Sequence, residues 1–399
     1  MQKTRIVVLG GGYSGVMAAG RLASNLRGKP VEITLVNAAP EFVQRIRFHQ
    51  LAANQSPYRV AFSQFFKGKG VEFIQARATA IQPDANTITL NLMNGQAQTI
   101  NYDYLVYALG SFVDTSRVPG AAEYAMSLGT EATSIQLRDR LPAIAERGGR
   151  LVICGGGFTG LEVTTELAES YPNLKITLIT SDTFGAKVSQ KGRSYLKQVF
   201  ERLHIKVIDN ANIEQITANE VKYAGGALPY DICIWSSGFT VPELARQSGI
   251  KVNEIGQIAI DDHLCSISHP NIYAVGDAAD ASQATCTPTR MACANAIPMG
   301  AYAADELTSR MNGETHRPHE VVDFYRCTSL GRNAALLQTY DIDDKPKETI
   351  ITGRLAAFAK ETICRYTVWG VTHPRWMFYQ HRPKSEQTGQ ASKAAAQTS

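Results

Sequence analysis

The chain has 399 residues, enough for two or three domains that each bury a core of their own. Its 40 Lys and Arg residues against 36 Asp and Glu residues leave a net charge of +4, which is too small and too scattered for a nucleic-acid surface. Seven cysteines without a Cys-x-x-Cys spacing argue against a disulfide framework. No apolar run approaches the roughly 18 residues of a membrane-spanning helix. We therefore expect a cytoplasmic protein, at most peripheral to the inner face of a membrane.

The chain begins with a unit that occurs twice. The first copy reads as a strand, a GxGxxG turn, an Ala-rich helix and a second strand, and the same order returns from residue 150. Each copy then closes with a hairpin and an apolar strand that ends on glycine. Eight positions separate Tyr102 from Gly110, and eight separate Tyr230 from Gly238. A repeat of this extent predicts two copies of one domain.

The predicted fold class is α/β, with two Rossmann-like three-layer dinucleotide-binding domains, the second inserted in the first, and a small α+β C-terminal domain. The predicted bounds are 1–115 and 245–320 for the first domain, 116–244 for the second, 321–382 for a C-terminal cap or dimerisation element, and 383–399 for a disordered tail. We also expect a helix from about Pro288, strands near Val322 and Leu336, and a helix from about Thr352.

The two glycine turns predict two bound dinucleotides. In each turn the first glycine allows a tight bend, the second lets a pyrophosphate approach the backbone, and the third lets the helix pack on the strand. The positions are Gly10, Gly12 and Gly15 in the first copy and Gly155, Gly157 and Gly160 in the second. One such turn could be a structural bend, but two favour a flavin and a nicotinamide nucleotide, since hydride transfer needs a donor and a relay.

The order of these motifs resembles the two-dinucleotide flavoprotein reductases of the pyridine nucleotide oxidoreductase superfamily, over about residues 4–310. Val118-Pro119-Gly120 and the strand that ends at Gly276-Asp277 belong to the same resemblance. Within the superfamily the chain is most similar to type II NADH dehydrogenases, through the segment from Trp235 to Phe239 and the Thr287-Pro288-Thr289 helix start. The resemblance implies FAD in the first domain and NADH or NADPH as co-substrate in the second.

The resemblance also implies the residues of both sites. For FAD they are Gly10, Gly12, Tyr13, Ser14, Gly15, Asn37, Arg45, Ala78, Gly110, Gly276, Asp277, Met291 and Ala292. For NAD(P)H they are Gly155, Gly157, Phe158, Thr159, Gly160, Glu162, Thr180, Ser181, Gly238 and Phe239. Asp277 would accept hydrogen bonds from the ribityl chain of the flavin, although the same carboxylate could merely cap a turn.

In both copies the second strand lacks the acidic residue with which it usually ends in such a domain. Asn37 in the first copy is neutral, which FAD tolerates because many other contacts hold it. Thr180 in the second copy weakens the repulsion that excludes a ribose 2′-phosphate, so NADPH stays open beside NADH. Lys187 and Arg193 could pair with that phosphate or be solvated surface charges.

The segment after the second strand lacks the cysteine pair of the superfamily's disulfide reductases, so we expect electrons to leave directly from the flavin. We expect no metal site. Cys286 and Cys293 lie seven positions apart, which disfavours sulfide:quinone chemistry. The segment instead holds Arg45, Arg47 and His49. In an extended chain two of them share a side and could stabilise reduced flavin or bind an acidic substrate, and they are the candidate catalytic residues. Alternatively, they are surface charges at a helix start.

The electron acceptor depends on the later part of the chain. Type II dehydrogenases carry two glutamines near the quinone, where this chain has Met291 and Asn295, so the pocket has changed or the acceptor differs. The run from Cys327 to Arg332 is predicted to supply pocket-lining backbone. Trp369 and residues 376–379 could meet a bilayer, but packing against the body or against the second subunit of a homodimer is favoured.

We therefore predict an FAD-dependent NAD(P)H oxidoreductase that passes two electrons to a small-molecule acceptor, a quinone or a related redox-active aromatic. One alternative is a reductase of a protein electron carrier such as ferredoxin or rubredoxin, which needs a charged docking surface. The other is an FAD-binding sensor with a vestigial nicotinamide site. The intact second glycine turn argues against the sensor.

Overall fold

A computed structural model describes residues 3–282, 290–320, 324–341 and 343–381 of the chain. The strands are β1 (Thr4–Leu9), β2 (Val31–Asn37), β3 (Glu41–Val43), β4 (Arg59–Ala61), β5 (Val71–Gln82), β6 (Thr87–Leu92), β7 (Ala97–Asn101), β8 (Tyr104–Tyr107), β9 (Phe112–Val113), β10 (Met126–Ser127), β11 (Arg150–Cys154), β12 (Lys175–Ile179), β13 (Lys206–Ile208), β14 (Ile213–Ile216), β15 (Glu220–Tyr223), β16 (Gly226–Pro229), β17 (Ile232–Trp235), β18 (Phe239–Thr240), β19 (Ile258–Ala259), β20 (Ile272–Ala274), β21 (Ala279–Asp280), β22 (His319–Glu320), β23 (Tyr325–Ser329), β24 (Ala335–Tyr340), β25 (Pro346–Thr352) and β26 (Gln380–His381). The α-helices are α1 (Tyr13–Asn25), α2 (Phe48–Ala52), α3 (Phe62–Phe65), α4 (Ala121–Tyr124), α5 (Glu131–Glu146), α6 (Phe158–Ser170), α7 (Gln190–Arg202), α8 (Leu244–Gln247), α9 (Cys293–Met311) and α10 (Gly353–Thr372).

The first sheet has seven strands in the order β20-β8-β1-β2-β5-β6-β7. The pairs from β20 to β5 are parallel, and β5, β6 and β7 form antiparallel hairpins at one edge. The last four residues of β1 are apolar and buried, as expected of a parallel strand covered on both faces. Helices α1 and α9 pack against each other beside this sheet.

The second sheet has five parallel strands in the order β10-β17-β11-β12-β13. An antiparallel three-stranded sheet of β14, β15 and β16 follows β13, and the short strands β9 and β18 pair where the chain passes between the two large sheets. The predicted α/β fold class with two Rossmann-like units is therefore confirmed. The exact domain bounds stay predictions.

The C-terminal region contains a three-stranded antiparallel sheet, β23-β24-β25, against which α10 packs. The predicted strand near Leu336 and the helix from about Thr352 correspond to β24 and α10, whereas β25 was not predicted. Val322, the helix start from Thr287 to Thr289 and the tail from residue 383 lie outside the described residues. No helix in the described parts of the chain is both long and apolar enough to cross a bilayer.

Candidate functional site

The first glycine turn lies where three parallel strands end side by side. Gly10 follows β1, Gly110 follows β8 and Gly276 follows β20, and all three have positive φ. Because the carboxyl ends of parallel strands meet at one edge of the sheet, these three turns form one crevice. The predicted FAD residues Gly10, Gly110 and Gly276 are thus brought together.

The backbone of this crevice has room for a phosphate group. A Cβ atom placed on Gly12 would meet nothing within 4 Å, whereas one on Gly15 would lie 1.9 Å from the carbonyl oxygen of Gly10. No side chain within the described residues caps the N-terminus of α1. The N–H groups of its first turn therefore face open space, and these residues fit the diphosphate of a dinucleotide.

The other predicted residues around this turn have mainly structural contacts. Asn37 Oδ1 accepts a hydrogen bond from the N–H of Gly11 at 2.9 Å, and its amide nitrogen donates to the carbonyl oxygen of Ala39. Tyr13 is buried with its ring 5.3 Å from that of Phe42, and Ser14 is also buried. Ala78 lies on β5 opposite Leu90.

Asp277 is held at the crevice by hydrogen bonds. Ser111 Oγ donates to Asp277 Oδ2 at 2.6 Å, and Gln257 Nε2 donates to the carbonyl oxygen of Asp277 at 2.8 Å. Arg45 in turn donates to the carbonyl oxygen of Ser111 at 2.7 Å. Burial lowers the pKa of the Arg45 guanidinium, and the nearby Asp277 carboxylate opposes that shift. Arg45 and Asp277 therefore share one partly desolvated corner of the predicted FAD site.

The expected extended chain through Arg45, Arg47 and His49 is wrong. Arg45–Arg47 form a 3-10 turn that leads into α2, because the apolar residues of α2 are buried against α5 and α6. The three side chains consequently diverge. Arg47 forms an ion pair with Glu361 of α10 at 2.8 Å, and His49 is buried, so neither is a free surface charge.

The second glycine turn repeats the geometry of the first. Gly155 follows β11 with positive φ, and a Cβ on Gly157 would meet nothing within 4 Å. A Cβ on Gly160 would lie 1.9 Å from the carbonyl oxygen of Gly155, and no described side chain caps α6. This turn therefore also fits a dinucleotide diphosphate.

The ends of the neighbouring strands surround this second turn. Thr180 is buried after β12, and Ser181 behind it is exposed. Gly238 has positive φ and precedes Phe239, which is exposed on β18. Thr159 lies in the first turn of α6 and is half-buried.

Glu162 of α6 pairs with the C-terminal helix. Lys360 Nζ of α10 lies 3.0 Å from Glu162 Oε1, which also accepts the N–H of Ser329 at 3.1 Å. Burial raises the pKa of Glu162, but the Lys360 ammonium and the hydrogen bonds from Ser329 and Lys360 lower it by more, so the net shift is downward. Burial lowers the pKa of His49 to about 4 despite the Glu162 carboxylate nearby. Glu162 is therefore ionised, Lys360 is charged and His49 is neutral at neutral pH.

A cavity of about 390 Å³ opens beside this ion pair. Phe158 and Glu162 from α6, Met291 and Ala292 before α9, and Lys360 from α10 lie in its wall. Three exposed aromatic side chains, Tyr325, Tyr366 and Phe378, also line it and are called the aromatic rim below. Of the run from Cys327 to Arg332, Cys327 and Thr328 on β23 lie in the cavity wall. The walls are suited to a flat, mostly apolar molecule with a polar end.

Lys360 was missed by the sequence analysis. Along α10, Ala356, Cys364 and Thr367 are buried, and Lys360 lies on the same helix face. A lysine at a core-facing helix position is unusual, because burial of an ammonium is costly without a partner. That pattern was the available signal, but it did not identify Glu162 as the partner.

The cysteines near the cavity are unreactive thiols. The described cysteines are all free, and Cys293 and Cys327 line the cavity. Burial raises the pKa of Cys293 to about 11 and that of Cys327 to about 12, so both remain protonated at neutral pH. Cys286 lies outside the described residues.

Comparisons with known proteins agree with this geometry. The sequence pattern of the family described as pyridine nucleotide-disulphide oxidoreductase matches residues 4–300. The chain is 25% identical to a demethylphylloquinone reductase of Synechocystis over 88% of this chain and 91% of that protein. It is 25% identical to a type II NADH:quinone oxidoreductase of Staphylococcus aureus over 90% of this chain and 94% of that protein. The sulfide:quinone oxidoreductase of Aquifex aeolicus shares its fold, with a TM-score of 0.79 and 22% identity, over 93% of this chain and 92% of that chain.

Proposed function

Because the chain belongs to the pyridine nucleotide-disulphide oxidoreductase family, we propose that it is an FAD-dependent oxidoreductase that takes hydride from NAD(P)H and passes two electrons to a quinone or a related redox-active aromatic. The observation that carries the proposal is the placement of two open glycine turns and one aromatic-rimmed cavity in a single chain. The names of the two curated relatives support the same acceptor class.

FAD, when bound, supplies the chemistry by accepting a hydride and releasing two electrons. The chain binds its diphosphate at the uncapped N-terminus of α1, and Asp277 accepts hydrogen bonds from hydroxyl groups. Arg45 adds a positive charge at the same corner. The nicotinamide nucleotide binds at the uncapped N-terminus of α6. The chain thus contributes alignment and electrostatics, and the half-buried Arg45 is its closest candidate for a catalytic group.

The cavity binds the acceptor. Its walls combine apolar side chains such as Ile297 and Ile363 with the Glu162–Lys360 pair, which can hydrogen-bond a carbonyl or hydroxyl oxygen. A quinone carries both an apolar ring and such oxygens. Met291, at the position of one quinone-site glutamine in the resembled family, also lines the wall, so a thioether there replaces an amide.

The aromatic rim opens onto an apolar face of α10, and we propose that this side contacts a membrane surface peripherally. Leu355, Phe358 and Trp369 are exposed on α10, whereas the sequence analysis named only Trp369 and residues 376–379 for such a surface. Met377 is buried, whereas Trp376 and Phe378, which were expected to pack, are exposed. Vesicle sedimentation tests this proposal, and sedimentation velocity without lipid separates it from homodimer formation through the same face.

Anaerobic stopped-flow absorbance near the general flavin band tests the function. We expect NADH or NADPH to bleach the yellow protein rapidly and a soluble quinone to restore the absorbance. The faster nucleotide then gives the preference between NADH and NADPH. Absence of bleaching with both nucleotides would favour the sensor. Rapid bleaching with recovery only by ferredoxin or rubredoxin, weakened by salt, would favour the reductase of a protein carrier.

A further inference from the structure

Arg326 brings a buried positive charge to the acceptor cavity. It lies on β23 and belongs to the cavity wall together with Phe158 and Tyr325 of the aromatic rim. The side chain of Arg326 is only 9% exposed. Burial of a guanidinium is costly unless the group is paired and hydrogen-bonded, so the groups around Arg326 indicate what else it binds.

Two aromatic rings hold the Arg326 guanidinium in place. Its Cζ atom lies 3.8 Å from the ring centroid of Tyr340 on β24 and 5.4 Å from that of Phe158 on α6. Contact with aromatic faces stabilises a guanidinium and orients its plane. The positive charge therefore has a defined position between the C-terminal sheet and the helix that follows the second glycine turn.

The hydrogen bonding of Arg326 is incomplete. Its Nη2 pairs with Asp344, which lies in the turn between β24 and β25, but the Asp344 side chain is 65% exposed. The Nε atom of Arg326 is buried and has no hydrogen-bond partner among the described residues. A solvated carboxylate stabilises a buried cation less than a carboxylate shielded from water does. Arg326 thus keeps donor capacity and positive charge for a further partner.

The carboxylate of the cavity wall does not supply that partner. Glu162 is the one carboxylate among the described residues that line the cavity, and Lys360 Nζ lies 3.0 Å from it. Lys360 also donates to the carbonyl oxygen of Cys327 at 2.8 Å, so its ammonium stays on this side of the wall. Arg290 adds a further cation to the wall. An anion that reaches Arg326 inside the cavity must therefore come with the bound molecule.

We propose that Arg326 binds an anionic substituent of the electron acceptor, so that the acceptor is a quinone with an acidic group that is ionised at neutral pH. This inference rests on the proposed quinone reduction and names its substrate class. Two N–H groups of a guanidinium can bind a carboxylate side by side. NAD(P)H and a proton reduce the quinone ring to a quinol, while the substituent keeps its charge and takes no part in electron transfer.

The nicotinamide nucleotide is the other anionic molecule of the reaction, and its diphosphate has donors of its own. Those donors are the backbone N–H groups at the uncapped N-terminus of α6. Arg326 lies instead over the side-chain ring of Phe158, and it comes from the strand that carries Tyr325 of the aromatic rim. This position favours the acceptor as the partner of Arg326.

Binding of two soluble quinones to the oxidised holoenzyme tests the proposal. Menadione is neutral and naphthoquinone sulfonate is anionic, and calorimetry gives the Kd of each without electron transfer. We expect Arg326→Gln to raise the ratio of the sulfonate Kd to the menadione Kd about tenfold, the effect of one charge-assisted hydrogen bond. Lys347→Gln removes an exposed cation from β25 of the same sheet and should change this ratio by less than about twofold. An unchanged ratio in Arg326→Gln would overturn the proposal.

Asp344→Asn should change the same ratio in the opposite direction. Asparagine tolerates the positive φ of this residue, and the substitution removes the carboxylate that competes for Arg326. We expect the ratio to fall about threefold, as for loss of one exposed ion pair. Asp343→Asn is the matched control, because Asp343 is equally exposed in the same turn but pairs with Lys345. A larger ratio in Asp344→Asn would contradict competition between Asp344 and the acceptor.

Turnover separates this inference from the proposed function. Reduced wild-type enzyme that neither quinone reoxidises would overturn quinone reduction itself. Reoxidation by both quinones, with a Kd ratio that Arg326→Gln leaves unchanged, would overturn the anionic substituent alone. If Arg326→Gln instead required more NAD(P)H for bleaching and kept the wild-type ratio, Arg326 would belong to the nucleotide site, and the proposal would again be wrong.

Discussion

Lys360 Nζ lies 3.0 Å from Glu162 Oε1, and this ion pair joins the C-terminal helix to the helix that follows the second glycine turn. Both side chains are less than one-fifth exposed. Two charges in such a place are stable only together, because each would otherwise remain desolvated without a counter-charge. The pair therefore fixes α10 over the cavity and gives the cavity its polar end.

Lys360→Met should destabilise the protein by about 3 kcal/mol, because it leaves the Glu162 carboxylate buried without its cation. Urea unfolding with and without the substitution measures this free energy. Lys345→Met removes an exposed lysine of similar length and should cost no more than about 0.5 kcal/mol.

The double variant Glu162→Gln with Lys360→Met should recover most of that loss, since no unpaired charge remains. Equal stability of the single and double variants would show that packing of the lysine stem, and not charge pairing, holds α10 in place.

Acid pH should destabilise the protein because His49 is buried in its neutral form. Burial lowers the pKa of His49 to about 4, whereas an unfolded histidine titrates near pH 6.5. Between these values the unfolded state binds more protons, so stability decreases as the pH falls from about 6.5 toward 4. Compared with His49→Gln, the wild type should lose about 2 kcal/mol more on going from pH 7 to pH 4.5.

Urea unfolding at both pH values measures that difference. His204→Asn changes an exposed histidine whose positive φ asparagine tolerates, and it is the control for replacing a histidine. A wild-type pH dependence that matches His49→Gln would mean that His49 accepts a proton in the folded state.

The fold was predictable because its signals are local. A glycine turn between a buried strand and a helix specifies its own conformation, and the repeat of that pattern specified two Rossmann-like units. The resemblance to the flavoprotein reductases rested on the same local motifs, and the family match confirms it. The residues assigned to the two nucleotides remain predictions.

The contacts of the cavity were not predictable, because they join distant parts of the chain. Lys360, the partner of Glu162, lies nearly two hundred positions later in the chain than Glu162 itself. The extended conformation expected around Arg45 was inferred from the alternating charged residues, whereas the apolar residues of the segment determine its conformation. Phe48 and Leu51 are buried against neighbouring helices, and this tertiary packing selects a helix.

Gly12→Ala and Gly157→Ala should separate the two nucleotide sites. Each new Cβ would meet no protein atom within 4 Å and neither φ is positive, so the FAD-free protein should unfold at nearly the wild-type temperature. The methyl group would instead occupy space needed by a diphosphate. We expect Gly12→Ala to purify with less FAD and Gly157→Ala to retain FAD but require more NAD(P)H for bleaching.

Gly15→Ala provides the contrasting variant for this pair. Its Cβ would lie 1.9 Å from the carbonyl oxygen of Gly10, so the backbone itself must move and the melting temperature should drop even without FAD. Normal FAD content in Gly12→Ala would mean that the diphosphate lies elsewhere.

Arg45→Ala should slow reoxidation of the reduced enzyme while most of the FAD stays bound. Arg45 donates to the carbonyl oxygen of Ser111, whose hydroxyl donates to Asp277, so the substitution removes both a positive charge and the support of this corner. A charged hydrogen bond contributes about 1.5 kcal/mol or more, and that energy corresponds to about tenfold in rate. Stopped-flow reoxidation by quinone measures the rate, and the flavin absorbance of the purified protein measures FAD content.

Arg77→Ala on the exposed side of β5 is the control for loss of a positive charge. Reoxidation at the wild-type rate in Arg45→Ala would exclude a catalytic role, and loss of FAD with an unchanged rate in the remaining holoenzyme would make Arg45 a binding residue only.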